Sequence, residues 1–220
     1  AVAGSVGIFG LGYFTLAVDN GKLFAWGRNN VGQVGDGTTT TRSSPVQVGA
    51  LTNWKTPAAG GEHALCTKTD GTLWAWGNGA YGKLGQGGTA NRSSPVQVGA
   101  LNTWTFPSAG EEQSICTKTD GTLWVWGKGT YGQLGLGNTT YYSSPKQVGT
   151  LTNWKVPTAG RRMSMCRKTD GTLWSWGQGA NGKLGHGNIT NYSSPKQIGA
   201  LTSWVRTPPT GLYNSGAIRT

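Results

Sequence analysis

Short apolar and aromatic runs, each closed by a glycine or by an Asp-Gly pair, recur along the whole chain. The clearest is Thr69-Asp70-Gly71-Thr72-Leu73-Trp74-Ala75-Trp76-Gly77, which returns at 119–127 and 169–177, with a looser copy at Asp19–Gly27. The period is 50 residues. An Asp-Gly or Asn-Gly pair supplies the positive φ angles of a tight hairpin turn, and the β-branched and aromatic run behind it suits a strand. The pattern within one period, read from Trp54 to Thr103, predicts four short strands. These are Trp54 to Gly60, Ala64 to Lys68, Thr72 to Trp76 and Val96 to Val98. A Gly-rich loop (77–85) and a polar loop (86–94) separate the last two. Pro57 and Pro95 mark strands that are bulged or near an edge.

Four strands per period is the arithmetic of a propeller blade, and one blade cannot bury both faces alone. The expectation is an all-β single domain, 1–220, with repeats at about 4–53, 54–103, 104–153 and 154–203 and a partial repeat at 204–220. A closed four-blade ring would carry the start of the unit twice. The chain is therefore expected to be an arc of a larger propeller, or to be completed by a neighbouring subunit on an open strand edge.

Composition agrees with this reading. Gly numbers 38 and charged residues are 12%, so helical packing in a 3.6-residue period has little to work with. All eleven Trp fall in repeat register. Trp26, Trp74, Trp76, Trp124, Trp126, Trp174 and Trp176 are assigned to the structural core between blades. Cys66, Cys116 and Cys166 occupy one strand position where the first copy has Leu16, which reads as small buried hydrophobes, not a disulfide framework. No run is long enough to span a membrane. Net charge is +11 but scattered, with no nucleic-acid signature, so an acidic protein face or an anionic surface is the partner that charge allows and nucleic acid is not favoured.

Candidate chemistry thins out quickly. Gly77–Gly82 matches G-x-G-x-x-G, and Lys83 follows as in a phosphate loop. However, Leu84 stands where Ser or Thr would hold Mg²⁺, and no helix follows to receive a phosphate. The glycines serve a tight loop instead, and no cofactor is expected. His63 and His186 sit at different repeat positions and keep no ligand spacing with Cys or carboxylate, so no metal is expected. Asp70, Asp120 and Asp170 belong to turns. Glu111 and Glu112 on a strand lead-in point to opposite sides, unlike a paired acid and base. No enzymatic activity is expected.

The functional signal is divergence among otherwise constant copies. The three residues after the glycine that ends the first strand read Gly61-Glu62-His63, Glu111-Glu112-Gln113, Arg161-Arg162-Met163 and Leu212-Tyr213-Asn214, with Leu11-Gly12-Tyr13 in the first copy. Equivalent positions in a propeller share a face, so Glu62, His63, Glu111, Glu112, Gln113, Arg161, Arg162, Met163 and Tyr213 are candidate partner-binding residues. Drift at exposed sites would produce the same pattern. A second variable loop (86–92, 136–142, 187–192) is placed on the other edge of the blades, where Tyr141, Tyr142 and Tyr192 could stack on sugar or protein.

The string Gly-x-x-(His/Gln)-(Ser/Ala), Asp-Gly-x-Leu-Trp-x-Trp-Gly, Gly-(Lys/Gln)-Leu-Gly and Ser-Pro-x-Gln-Val runs through Gly110, Gln113, Ser114, Asp120–Gly127, Gly132–Gly135 and Ser144–Val148. It resembles the regulator-of-chromosome-condensation (RCC1) repeat over essentially the whole chain. The resemblance implies a β-propeller, usually of seven blades. The variant with Ser-Ser-Pro and Leu-Thr-Asn-Trp-Lys is similar to repeats of bacterial surface and phage virion proteins. It implies a protein–protein contact module, oligomeric or part of a larger assembly, in a virion, at a cell surface or otherwise extracellular. A receptor- or glycan-binding module is the alternative. Nucleotide exchange on a small GTPase and enzyme inhibition are further uses of the family's fold.

Overall fold

The structure is a computed structural model that describes residues 7–9, 12–206 and 218–219. In chain order the strands are β1 (Gly7–Phe9), β2 (Phe14–Asp19), β3 (Lys22–Gly27), β4 (Arg42–Gln47), β5 (Trp54–Ala59) and β6 (His63–Lys68). They continue with β7 (Leu73–Gly77), β8 (Arg92–Gln97), β9 (Trp104–Ala109), β10 (Gln113–Lys118), β11 (Leu123–Gly127) and β12 (Tyr142–Gln147). The last are β13 (Trp154–Ala159), β14 (Met163–Lys168), β15 (Leu173–Gly177), β16 (Tyr192–Gln197), β17 (Trp204–Arg206) and β18 (Ile218–Arg219).

These form four antiparallel four-stranded sheets in simple sequential order, β1–β4, β5–β8, β9–β12 and β13–β16, and a two-stranded sheet β17–β18. The all-β propeller architecture is thus as the period implies. Successive blades touch through their first strands, β5 against β9 and β9 against β13, so the first strand of each blade lies toward the axis.

The fourth strand starts earlier than the sequence suggests. β8 begins at Arg92, not Val96, because Gly77 pairs with Arg92 across a register shift and draws Ser93, Ser94 and Pro95 into the ladder. Pro95, like Pro45, Pro145 and Pro195, is tolerated because this is the outer edge strand, where a missing N–H costs no ladder bond and blunts the edge against foreign strands.

The core forms at the seams. Trp76, Trp126 and Trp176 are fully buried. Each indole donates Nε1–H to a carbonyl of the preceding blade: Gln33 at 3.0 Å, Lys83 at 2.9 Å and Gln133 at 3.0 Å. The glycine turn behind that carbonyl is the socket. A Cβ on Gly85, whose φ is +72°, would stand 2.8 Å from the Trp126 indole nitrogen. Trp74, Trp124 and Trp174 are only half-buried and flank the core clusters. Lys68, Lys118 and Lys168 lie over their faces with Nζ 3.6, 3.6 and 3.8 Å from the ring centroids. Trp26, expected in the core, is partly exposed and outside these clusters. The seam explains this: an indole is buried by the blade before it, and no glycine socket stands against Trp26 among the described residues.

Candidate functional site

Strand direction decides where the variable loops go. The chain runs up the first strand, down the second, up the third and down the fourth, so the first connection (60–63) and the third (78–91) emerge at the same end. The two variable loops therefore share one face and are not on opposite edges. Contacts between them prove it: Asn78 donates both its backbone N–H to the Glu62 carbonyl at 2.9 Å and its side-chain amide to the Glu62 carboxylate at 2.9 Å. The opposite end carries the Asp-Gly hairpins.

Near the axis the first connections are linked by their backbones, Gly61 N–H to Gly110 O at 3.0 Å and Glu111 N–H to Gly160 O at 3.5 Å. This brings Glu62, Glu111, Glu112, Arg161 and Arg162 together as half-buried residues at the loop end. Most of them are engaged in ion pairs within the chain. Arg28 pairs with Glu62 at 3.4 Å, Lys128 with Glu112 at 2.8 Å and Arg161 with Glu111 at 3.0 Å, the first and last across a seam.

In the second, third and fourth copies the third residue of the triplet is not available to a partner, whereas in the first copy Phe14, not Tyr13, faces the strand-ending Gly27 and takes the buried place. His63, Gln113 and Met163 are buried, at 0, 1 and 2% exposure, because the second strand begins there and turns them into the seam. His63 Nε2 lies 2.8 Å from Ser114 Oγ, which in turn donates to the Lys83 carbonyl at 2.7 Å. The single hydroxyl proton is thus used, so the imidazole carries its proton on Nε2 and donates it to Ser114. Burial, with Lys83 beside it, holds the His63 imidazole well below the usual histidine range and keeps it neutral. Gln113 does the same work one seam on, donating to Gly160 O at 2.9 Å and Met163 O at 3.0 Å. Met163 packs with Met165, Leu173 and Leu184.

Among the tyrosines, Tyr141 is exposed at 45%. Tyr142 and Tyr192 are half-buried braces instead, packed on the core clusters and holding the side chains of Asn138 and Asn188 through their hydroxyls at 3.2 and 3.1 Å. Tyr213 lies outside the described residues.

Two aromatic residues that the sequence reading passed over, Tyr81 and Tyr131, complete the face together with Tyr13 of the first copy's triplet. Tyr13, 70% exposed, has the Arg28 guanidinium over its ring at 5.3 Å. Tyr81 has Lys128 over its ring at 4.3 Å and meets Tyr141 edge-on at 5.3 Å. Tyr131 has Arg162 at 4.8 Å. Tyr81 and Arg162 hold positive φ values of 62° and 60°, an unusual backbone for bulky residues. The available signal was that position 81 varies (Val31, Tyr81, Tyr131, Asn181) immediately before a glycine that all four copies keep.

No phosphate loop survives inspection: Lys83 is 3% exposed and its carbonyl is the acceptor for Ser114 and Trp126. Burial pulls its ammonium below the usual lysine range against the opposing pull of Glu62, Glu112 and Glu111. Each Asp-Gly carboxylate accepts from the backbone and hydroxyl of the Thr two residues on, as Asp120 does from Thr122 at 2.9 and 2.6 Å. The three cysteines are free and buried, and burial pushes their thiols up. Among the described residues no three His, Cys, Asp or Glu side chains gather as for a metal, and no helix is long and apolar enough to cross a membrane.

These sheets, seams and glycine sockets define an RCC1-type propeller, and comparison bears this out. The regulator of chromosome condensation (RCC1) repeat profile matches at residues 20–67, 70–117, 120–167 and 170–207, and the chain belongs to that family. Human WBSCR16 superposes with a TM-score of 0.83 at 21% identity, over 94% of this chain and 56% of that one. Yeast RCC1 (Prp20), solved bound to Kap60, gives 0.81 at 21%, over 94% and 52%. Prp20p of Saccharomyces cerevisiae, described with its binding to Gsp1p and histones, gives 0.80 at 21%, over 94% and 54%. The chain thus spans about half the length of the RCC1 structures it matches. A search of curated protein sequences returned no match.

Proposed function

We propose that the chain is a non-enzymatic contact module that holds a protein partner against its loop end, as a component of a virion or cell-surface assembly. The observation that carries this is the convergence of both variable loops on one face, where Tyr13, Tyr81, Tyr131 and Tyr141 stand beside Arg28, Lys128 and Arg162. Tyrosine and arginine supply large, stiff, amphipathic contact area and are the side chains enriched where proteins dock. Each carboxylate of this face is matched by a cation, and Arg162 comes in addition to those three pairs, which leaves the face with an excess of positive charge for an acidic partner. The RCC1 relative Prp20 is a protein that binds other proteins.

The test is the triple variant Tyr81→Ser, Tyr131→Ser, Tyr141→Ser, compared with Leu51→Ser, Leu151→Ser at the hairpin end. Loss of co-sedimentation with the native particle or envelope in the first, with the second retained, is the expected result. The reverse pattern, with both variants folded by circular dichroism, overturns the proposal. A glycan-binding role for Tyr141, Tyr142 and Tyr192 has weaker support, because Tyr142 and Tyr192 are braces and of these three only Tyr141 projects.

A further inference from the structure

The second blade departs from its siblings at a further place, the outer end of its third connection. Where the polar loop turns into the fourth strand, each copy carries a pair of residues six apart and a third between them. The pairs are Asp36 with Arg42, Gln86 with Arg92, Leu136 with Tyr142 and His186 with Tyr192. Three copies close this corner. Asp36 and Arg42 form an ion pair at 2.6 Å, Asn138 bonds the Tyr142 hydroxyl, and Asn188 bonds the Tyr192 hydroxyl. In the second copy the residue equivalent to Asn138 is Gly88, and a Cβ built there meets nothing within 4 Å. Arg92 has no carboxylate partner among the described residues, only the Gln86 amide oxygen at 3.4 Å.

A groove of about 490 Å³ opens beside this corner, between the second and third blades. One wall is apolar, made by Val96, Leu101, Pro145 and the edges of Trp104 and Trp124. Its polar groups are Gln86, Gln97, Ser144, Arg92 and Lys118, with no carboxylate among them. The Trp104 indole N–H, in a side chain 4% exposed, is buried here without an acceptor; its counterparts Trp54 and Trp154 share that feature.

We propose that this groove is a binding site for an acidic sugar residue, a uronate or sialate whose carboxylate pairs with Arg92 and whose ring lies on the Val96–Leu101 wall. The volume lies in the range of small-ligand pockets, and the lining has their character: mostly apolar, with a few polar groups. A sugar ring matches this with one C–H face and a hydroxyl rim. Two cations and no carboxylate select an anion, and a guanidinium fork suits a carboxylate. An extended acidic peptide fits less well. Such peptides are held by adding a strand, and the flanking outer strands carry Pro95 and Pro145, which remove ladder donors. The site goes beyond the loop-end contact proposed above and is independent of it, since no loop-face tyrosine lines the groove.

The test titrates the full chain with glucuronic acid and with N-acetylneuraminic acid, using their methyl esters as neutral controls and a poly-glutamate peptide as a second anion, by saturation-transfer NMR. At least one acid is expected to bind, with its ester about ten-fold or more weaker, as expected if a charge-assisted pair is lost. Arg92→Gln and Leu101→Glu are each expected to weaken that acid by a similar factor while leaving near-ultraviolet circular dichroism unchanged. Leu101→Glu places a carboxylate on an exposed residue of the apolar wall, so it repels the acid without disturbing a buried side chain. Esters binding as well as acids, either variant binding as wild type, or binding of poly-glutamate but of neither acid overturns the assignment. So does no binding at all.

Discussion

At the hairpin end three copies are interchangeable down to single hydrogen bonds. Asp70, Asp120 and Asp170 each hold the Thr two residues on, and that Thr accepts the indole N–H of Trp74, Trp124 or Trp174 at 2.8–2.9 Å. Each hairpin glycine presses on the connection that leads into the next blade: a Cβ on Gly121, at φ +76°, would stand 1.9 Å from the Thr152 carbonyl. At the loop end of the same strands nothing repeats so closely. The carboxylates pair with a different cation in each blade, and tyrosines project where other copies have Val31 or Asn181. Seams demand identity because one blade's glycine must fit the next blade's indole. The loop face has no such partner inside the chain, so its residues are free to be selected for something outside it.

This contrast can be broken at several strengths. Trp126→Ala removes the indole from its socket and is expected to cost about 3–5 kcal/mol, read by urea denaturation. Gly121→Ala is next, at about 2 kcal/mol or more, because it adds a left-handed backbone penalty to the clash. An equal substitution at Gly88, open on all sides, should cost little and so isolates the seam effect.

His63 sharpens the contrast through pH. Its folded-state pKa lies below the unfolded value near 6.5, so the unfolded chain binds a proton that the folded chain refuses. Stability should therefore fall as pH drops below about 6.5, by up to about 1.4 kcal/mol per pH unit. His63→Gln, the residue of the next copy, should flatten that slope. The hairpin aspartates act in a lower window. Their pKa values are lowered by the Thr hydrogen bonds, so their contribution is lost only as pH falls below the ordinary carboxylate range. Burial also holds the His186 imidazole below its usual range, so a smaller slope remains in His63→Gln, and an undiminished slope near pH 6 would contradict the burial argument. Smaller still, Glu112→Gln should cost about 0.5–1 kcal/mol, since its ion pair is only partly shielded from water.

Much of this was legible in residue order, and the failures share a cause. The 50-residue period, the hairpins and the burial of Trp76, Trp126 and Trp176 follow from local chemistry. What was missed depends on neighbours across a seam or a ladder. His63, Gln113 and Met163 diverge like surface residues but are buried by the adjacent blade, so divergence alone misled. Ser93 to Pro95 read as loop because only pairing with Gly77 makes them strand. Trp26 shares its register with buried indoles yet lacks a socket. Counting strand directions would have put both variable loops on one face, since four antiparallel strands leave no other choice.

One apolar feature competes with the loop face: Leu51, Leu101, Leu151 and Leu201 stand 43–49% exposed at the hairpin end of every blade. Hydroxyl-radical footprinting of the protein, free and in its native assembly, separates the two faces directly. Protection of Tyr13, Tyr81 and Tyr141 with Leu51, Leu151 and Leu201 unchanged is the result expected here. Protection of the leucines with the tyrosines still reactive would contradict it.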